Sequence, residues 1–325
     1  MGCSDRVCGR LAPSPTGYMH LGNAWTFLLT WLSVRSQNGR LVLRVEDIDP
    51  QRSKAPFTEA LLEDLRWLGL DWDEGPDGYT QKTSCLQSRR TFFYEEAIAR
   101  LEDAGFIYPC FCTRSELRNL GSAPHVEDFG APYPGTCRTL TKEKQSELFK
   151  AGRKAALRLR CAETSVSFDD ALWGRQYLEL AECGGDFALR RSDGVFSYQL
   201  AVTVDDALMG ITEVMRGRDI LPSTPRQVVL QHLLGYPVPK HIHVPLLLDV
   251  KGEKLSKRHK SLTLRELRQK GVDAARLNGL LSQMAGINPS GRPVRPEELL
   301  PLYSLDKLPV QDIRLTNDIY RRFLS

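Results

Sequence analysis

The chain of 325 residues has room for two domains and a third small one, at about 150 residues per domain. With 42% hydrophobic and 26% charged residues it excludes a long disordered tail or a collagenous repeat, and no apolar run reaches the ~20 residues of a membrane span. The net charge of +4 is unevenly spread: residues 251–325 hold 15 Lys and Arg against 8 Asp and Glu, while the first 250 are slightly acidic.

The N-terminus, Met1–Arg10, contains Asp5 and two arginines and lacks the apolar core of a signal peptide. Its Met-Gly start would suit myristoylation, except that Arg6 stands where Ser or Thr is wanted. A cytoplasmic protein is therefore expected, a monomer by default. Val7–Ala12 reads as a short strand, followed by the turn-rich loop 13–17. From Asn23 onward Trp25, Leu28, Leu29 and Leu32 recur at helical spacing. Residues 41–45 read as a second, buried strand that runs into the acidic segment 46–49. Phe57–Leu68 and Arg89–Ala104 are amphipathic helices, closed by Gly69 and Gly105. This alternation predicts a parallel sheet with helices on both faces, and ligands then bind beyond the carboxyl ends of the strands.

The rhythm breaks between residues 105 and 190, where an inserted α+β module is expected, with alternating stretches such as Ala156–Cys161. Phe196–Val204 resumes a strand-to-helix pattern, Thr224–Leu234 is helical and His241–Leu248 is an apolar strand. The remainder from Leu262 is mostly helical, and its last forty residues, with Pro293, Pro296, Pro301 and Pro309 among them, have no assignment. The expected division is therefore 1–104, 105–190, 191–248 and 249–325. The basic last quarter suits a phosphate backbone as well as a solvated helical surface. Cytosolic location argues against a disulfide framework for the eight cysteines. Cys3, Cys8, Cys85, Cys161 and Cys183 are scattered; Cys110 and Cys112 are only two apart.

Two segments carry chemistry. In Pro13–Asn23 the prolines stiffen the loop, and Gly17 and Gly22 allow close backbone approach. His20 sits just before a helix N-terminus, where backbone N–H groups favour phosphate and a His can donate as charge develops. Gly252–Arg258, followed by His259 and Lys260, is a dense basic loop directly after an apolar strand and can neutralise a triphosphate.

Together these segments resemble class I aminoacyl-tRNA synthetases. His20-Leu21-Gly22-Asn23 is similar to their HIGH signature, and Lys254–Arg258 to their KMSKS loop, with Asn23, Leu255 and Arg258 as departures. Arg10–Gly17, Val45–Asp49 and Tyr198–Ala201 resemble the glutamate-specific branch, and the likeness covers roughly residues 6–285. It implies a Rossmann-type doubly wound core with an inserted zinc-bearing module, a helical stem-contact-like region from 249, and no anticodon-binding domain. It further implies a glutamate pocket of Arg10, Leu11, Ala12, Pro13, Ser14, Glu46, Tyr198 and Arg216. Arg10 and Arg216 would hold the side-chain carboxylate, and Glu46 the α-ammonium. The rival for Arg216 is an ion pair with Asp219 or Glu213. ATP, arriving with Mg²⁺, would meet His20, Gly22, Asn23 and Lys257, with His20, Lys254 and Lys257 stabilising its phosphates.

Val202 and Ile220 depart from the full-length glutamate enzymes and resemble the shorter glutamyl-Q tRNA(Asp) synthetases. In that branch L-glutamate passes to queuosine at the wobble position of tRNA(Asp). The alternatives are a truncated or split glutamyl-tRNA synthetase charging a 3′ end, disfavoured by the 40 residues left after Ala285, and a silent tRNA-binding paralogue, disfavoured because the ATP motifs and the pocket arginines survive. The same branch implies a structural Zn²⁺ on Cys110, Cys112, Cys137 and Tyr133; His125 is the competing fourth ligand.

Overall fold

The computed structural model describes residues 6–77, 84–113, 115–117, 133–162, 165–183, 185–255 and 263–324. The first strand, β1 (Cys8–Leu11), is completely buried and runs parallel to β2 (Arg40–Leu43). Between them lies α1 (Leu21–Ser36), which buries eleven of its sixteen residues. A helix apolar on most of its surface belongs inside a core rather than on it. Gly9 makes this packing possible, because a Cβ there would stand 2.3 Å from a methyl of Val34.

After α2 (Ala55–Trp67) and α3 (Thr91–Asp103) the chain forms a small antiparallel sheet. It pairs β3 (Ile107–Cys110) with β4 (Ala156–Leu159), and β4 with β7 (Ala188–Arg190). The helix α4 (Lys142–Lys150) lies in the connection between β3 and β4. The hairpin β5 (Ser165–Asp170) and β6 (Gly174–Glu179) does not join this small sheet. It pairs in parallel with β9 (Lys240–Val244) of the main sheet through Asp170 and His241. The segment 105–190 is thus not one separate insertion: its middle hairpin is an edge of the main layer.

That layer runs β6-β5-β9-β8, where β8 (Glu213–Gly217) is parallel to β9. Thr212, just before β8, joins it to β1: its N–H donates to the Cys8 carbonyl at 2.8 Å and its hydroxyl accepts from the Cys8 N–H at 2.9 Å. From β1 the chain steps to β2 on one side, and from β8 to β9 on the other. The crevice between β1 and β8 is therefore a topological switch point, where open α/β sheets bind ligands.

Two apolar cores flank the layer. One centres on α1, and the other joins α3, α5 (Tyr198–Leu208) and α6 (Thr224–Leu234). After α7 (Leu264–Gln269) and α8 (Ala274–Met284) come α9 (Pro296–Leu299), the strand β11 (Ile313–Arg314) and α10 (Asn317–Leu324). The unassigned last forty residues are thus integral to the first core: Leu299, Leu315 and Phe323 are completely buried in it. β11 adds in parallel to β10 (Leu247–Leu248), which leads into the basic loop. Among the described residues no helix is long and apolar enough to cross a membrane.

Phe323→Ala is expected to cost about 3–5 kcal/mol of stability, the range for a buried aromatic truncated in a packed core. Urea unfolding measures it; a loss under about 1 kcal/mol would show the tail to be peripheral.

Candidate active site and metal centre

A cavity of about 340 Å³ opens at the switch point. The loop leaving β1 supplies Ala12, Pro13, Ser14 and Thr16, and the turn into α1 supplies His20, Gly22 and Asn23. Arg10 enters from β1, Glu46 from beyond β2, Tyr198 from the start of α5, and Met215, Arg216 and Gly217 from β8. Asp219, Ile220, Lys254 and Leu255 close the mouth. Most residues singled out in the sequence therefore share one wall system. Leu11 does not: successive strand residues point to opposite faces, and its side chain is completely buried in the first core. Lys257 and its neighbours 256–262 lie outside the described residues.

The turn at His20 is a reciprocal cap. The His20 Nδ1 accepts from the Gly22 N–H at 3.1 Å, and the Asn23 side-chain oxygen accepts from the His20 N–H at 3.1 Å. Since Nδ1 accepts, the proton of the neutral ring is on Nε2. Asn23, a departure from the usual signature, thus fixes the backbone that carries His20.

Under the cavity floor lies a buried charge network that sequence reasoning missed. Arg44 is fully buried and bonds Asp206 at 2.7 Å and Glu46 at 3.2 Å. Arg10 meets Asp206 at 3.4 Å and donates to the Met215 carbonyl at 3.1 Å. Asp205 accepts from Arg90 at 2.6 Å, and from Gln87 and Tyr94 at 2.8 Å each. Three guanidinium groups thus face three carboxylates, so the network is neutral as a whole. Burial raises the pKa of Glu46 against the opposing pull of Arg44 and Arg10. Burial likewise raises that of Tyr198, which opens onto the cavity. Signals for these partners did exist: Arg44 in a buried strand, and Asp205-Asp206 in an otherwise apolar helix.

Arg216 stands apart from this network. Its Nε donates to His243 Nε2 at 3.0 Å and its Nη2 to the Thr224 hydroxyl at 2.8 Å. Its buried Nη1 has no partner among the described residues. The ion pairs considered from sequence are not formed, because Asp219 pairs with Lys254, and Glu213 pairs with Lys240 and accepts from Ser33. Burial draws Arg216 below the ordinary guanidinium range, although it stays charged at neutral pH. The cavity therefore offers a desolvated guanidinium at one point and the Glu46 carboxylate at another, which suits a ligand carrying both an anionic and a cationic group. Val202 is buried in α5 outside the cavity lining, whereas Ile220 is part of it.

A second cluster lies at the end of β3. The sulfurs of Cys110, Cys112 and Cys137 are within 4.8 Å of one another, with Cys112 and Cys137 3.6 Å apart. The Tyr133 hydroxyl is 3.4 Å from the Cys110 sulfur and 3.9 Å from that of Cys112. Thiolates at ~2.3 Å from a tetrahedral ion would be roughly 3.8 Å apart, so the donor set fits a zinc-like cation. The tyrosine is held in place by the Cys137 N–H, which donates to its oxygen at 2.7 Å, and by the Arg158 guanidinium 3.8 Å above its ring. Burial pushes the Cys112 thiol up to about 12. For Cys110, burial is outweighed by the Tyr133 hydrogen bond and Arg158, and its pKa falls. His125 lies outside the described residues.

Asp206→Asn would leave the buried arginines one carboxylate short. It is expected to cost about 3–5 kcal/mol by urea unfolding, as for other broken buried pairs.

Comparison with known proteins fits this geometry. A family model described as the catalytic domain of class I tRNA synthetases (E and Q) matches residues 6–290. A glutamyl-Q tRNA(Asp) synthetase of Nitratidesulfovibrio vulgaris is 53% identical over 316 residues, 97% of this chain and 98% of its own. A glutamate–tRNA ligase of Aquifex aeolicus is 41% identical over 304 residues, 93% of this chain and 62% of its own. The crystal structure of a glutamate–tRNA synthetase from Elizabethkingia anophelis superposes with a TM-score of 0.84 at 25% identity, over 98% of this chain and 70% of that one.

Proposed function

The chain belongs to the class I tRNA synthetase family of glutamate and glutamine enzymes and is a ligase-type enzyme; from that premise we propose that it activates L-glutamate with ATP and transfers it to queuosine at the wobble position of tRNA(Asp). The observation that carries the first half is the Nη1 of buried Arg216, unpartnered among the described residues and in one cavity with Arg10 and Glu46. Glutamate brings two carboxylates and one ammonium. Arg10 and Arg216 would take the side-chain carboxylate, Glu46 the ammonium, and Tyr198, Ala12, Pro13 and Ser14 the walls.

In the first step an oxygen of the α-carboxylate bonds to the α-phosphorus of ATP. The P–O bond to pyrophosphate breaks and takes its electron pair with it. There is little covalent work for the protein, so rate comes from positioning and electrostatic stabilisation. His20, with its proton on Nε2, is poised as a donor to a phosphate, and Gly22 and Asn23 hold the turn beside it. Lys254 and Lys257 would neutralise charge from the facing loop. Mg²⁺ would enter with the ATP and needs no dedicated protein cage. In the second step a hydroxyl of the queuosine cyclopentene-diol attacks the activated carbonyl and AMP leaves. This acceptor is supported by the 53% identity with a protein that bears that activity in its name. The surplus of basic residues from 251 onward suits the tRNA backbone.

We assign the cluster of Cys110, Cys112, Tyr133 and Cys137 to one structural Zn²⁺. Four protein ligands leave no position for a reacting water, so its contribution is to hold the small sheet together.

Labelled glutamate, ATP and tRNA from cells able or unable to make queuosine test the acceptor. Label is expected only on the queuosine-bearing tRNA(Asp); equal labelling of both pools would reject this reading in favour of 3′-end charging. For the metal, about one zinc per chain is expected, and Cys110→Ser is expected to lose both the zinc and several degrees of Tm. A zinc-free preparation with undiminished Tm would reject the site.

A further inference from the structure

His243 and Asp170 lie behind the cavity, and neither belongs to the binding set described above. His243 has no exposed surface, and Asp170 is 2% exposed. The Asp170 carboxylate is anchored by the backbone N–H groups of Leu172 and Trp173, each at 3.0 Å, and of His243 at 3.1 Å. Its Oδ2 is 2.6 Å from His243 Nδ1, and the opposite ring nitrogen, Nε2, is 3.0 Å from Arg216 Nε. A guanidinium only donates and a carboxylate bound to a ring N–H only accepts. The chain of bonds therefore admits one arrangement: Nδ1 carries the proton, and Nε2 accepts from Arg216. His241, stacked 6.1 Å away, has no partner on either nitrogen among the described residues. The relay is particular to His243.

We propose that Asp170 and His243 form a positioning relay that locks the Arg216 guanidinium and so sets the preference for a carboxylate over an amide in the substrate side chain. The inference rests on the assignment of Arg216 to that carboxylate. With Nε fixed by His243 and Nη2 by Thr224, Arg216 cannot turn, and Nη1 stays directed as a donor. A carboxylate satisfies it through either oxygen. The amide of glutamine satisfies it in one orientation only, and the NH₂ group then needs an acceptor of its own. Burial keeps His243 neutral, its pKa pushed down to about 4 despite Asp170, so the acceptor lone pair persists at neutral pH.

ATP–pyrophosphate exchange with tRNA present reads the effect. His243→Leu, which removes the acceptor, is expected to raise KM for glutamate about tenfold or more and to reduce discrimination against glutamine by a similar factor, with KM for ATP within about twofold. His243→Gln, whose amide can accept from Arg216 and donate to Asp170, is expected to restore most of both. Unchanged KM and selectivity in His243→Leu would overturn the relay, as would equal rises in both KM values without rescue by Gln. Arg216→Ala in the same assay separates the two ideas: a wild-type KM for glutamate there would reject the pocket assignment itself. The relay is then judged by ¹⁵N–¹H NMR of the wild-type imidazole, assigned against His243→Gln. An Nδ1–H tautomer at neutral pH supports it; an Nε2–H tautomer or an imidazolium overturns it.

Discussion

Charge neutrality beneath the cavity floor is the constraint on which the site depends. Three arginines and three carboxylates have left water together, and each is tolerable only because the others are there. Arg44 is the hinge of this arrangement, since it touches both Asp206 from α5 and Glu46 from beyond β2. Through Asp206 it also fixes Arg10 on β1. The angle between these elements is thereby set by short ionic contacts, with the apolar cores on either side filling the remaining space. A binding pocket that must offer both signs of charge within a few ångströms gains its geometry from the same bonds that solve its solvation problem.

Arg216 shows the complementary strategy. Instead of a carboxylate it has an imidazole and a hydroxyl as neighbours, so its charge is oriented and not neutralised. The floor holds charges that neutralise one another, and the wall holds one guanidinium with no carboxylate partner among the described residues. The β5–β6 hairpin matters here, because Asp170 stands at the end of β5 and steadies the ring that steadies Arg216.

Much of the cavity was legible in the sequence, for a physical reason. The loop after β1, the turn at His20, Glu46 and Arg216 sit in short segments whose residue types are dictated by local chemistry: glycines for close approach, a cap before a helix, charges where water is absent. Leu11 was misplaced because strand alternation, not motif membership, decides where a side chain points. Arg44, Asp205, Asp206, Asp170 and His243 act largely through partners remote in sequence, 162 positions apart for Arg44 and Asp206, and a buried charge in the sequence does not say which remote residue it will meet. The β5–β6 hairpin reads as part of the insertion for the same reason, since its membership of the main sheet rests on pairing with β9. The three cysteines were legible as donors, and their resemblance to a known spacing pointed to Tyr133, but the Arg158 guanidinium over its ring was not foreseeable.

The tail has a consequence for biosynthesis. Residues from α9 onward pack in the core that surrounds α1, so segments almost 300 positions apart complete one another. Chains leave the ribosome at about 5–20 residues per second, so α1, apolar on most of its surface, has to wait many seconds for its last neighbours. Over that interval its exposed side chains need shelter. The half of the molecule built from α3, α5 and α6 closes earlier, as its parts emerge closer together. Synthesis thus orders folding: the second core to be translated is the first to be finished, and the cavity, walled by both, matures only with the tail.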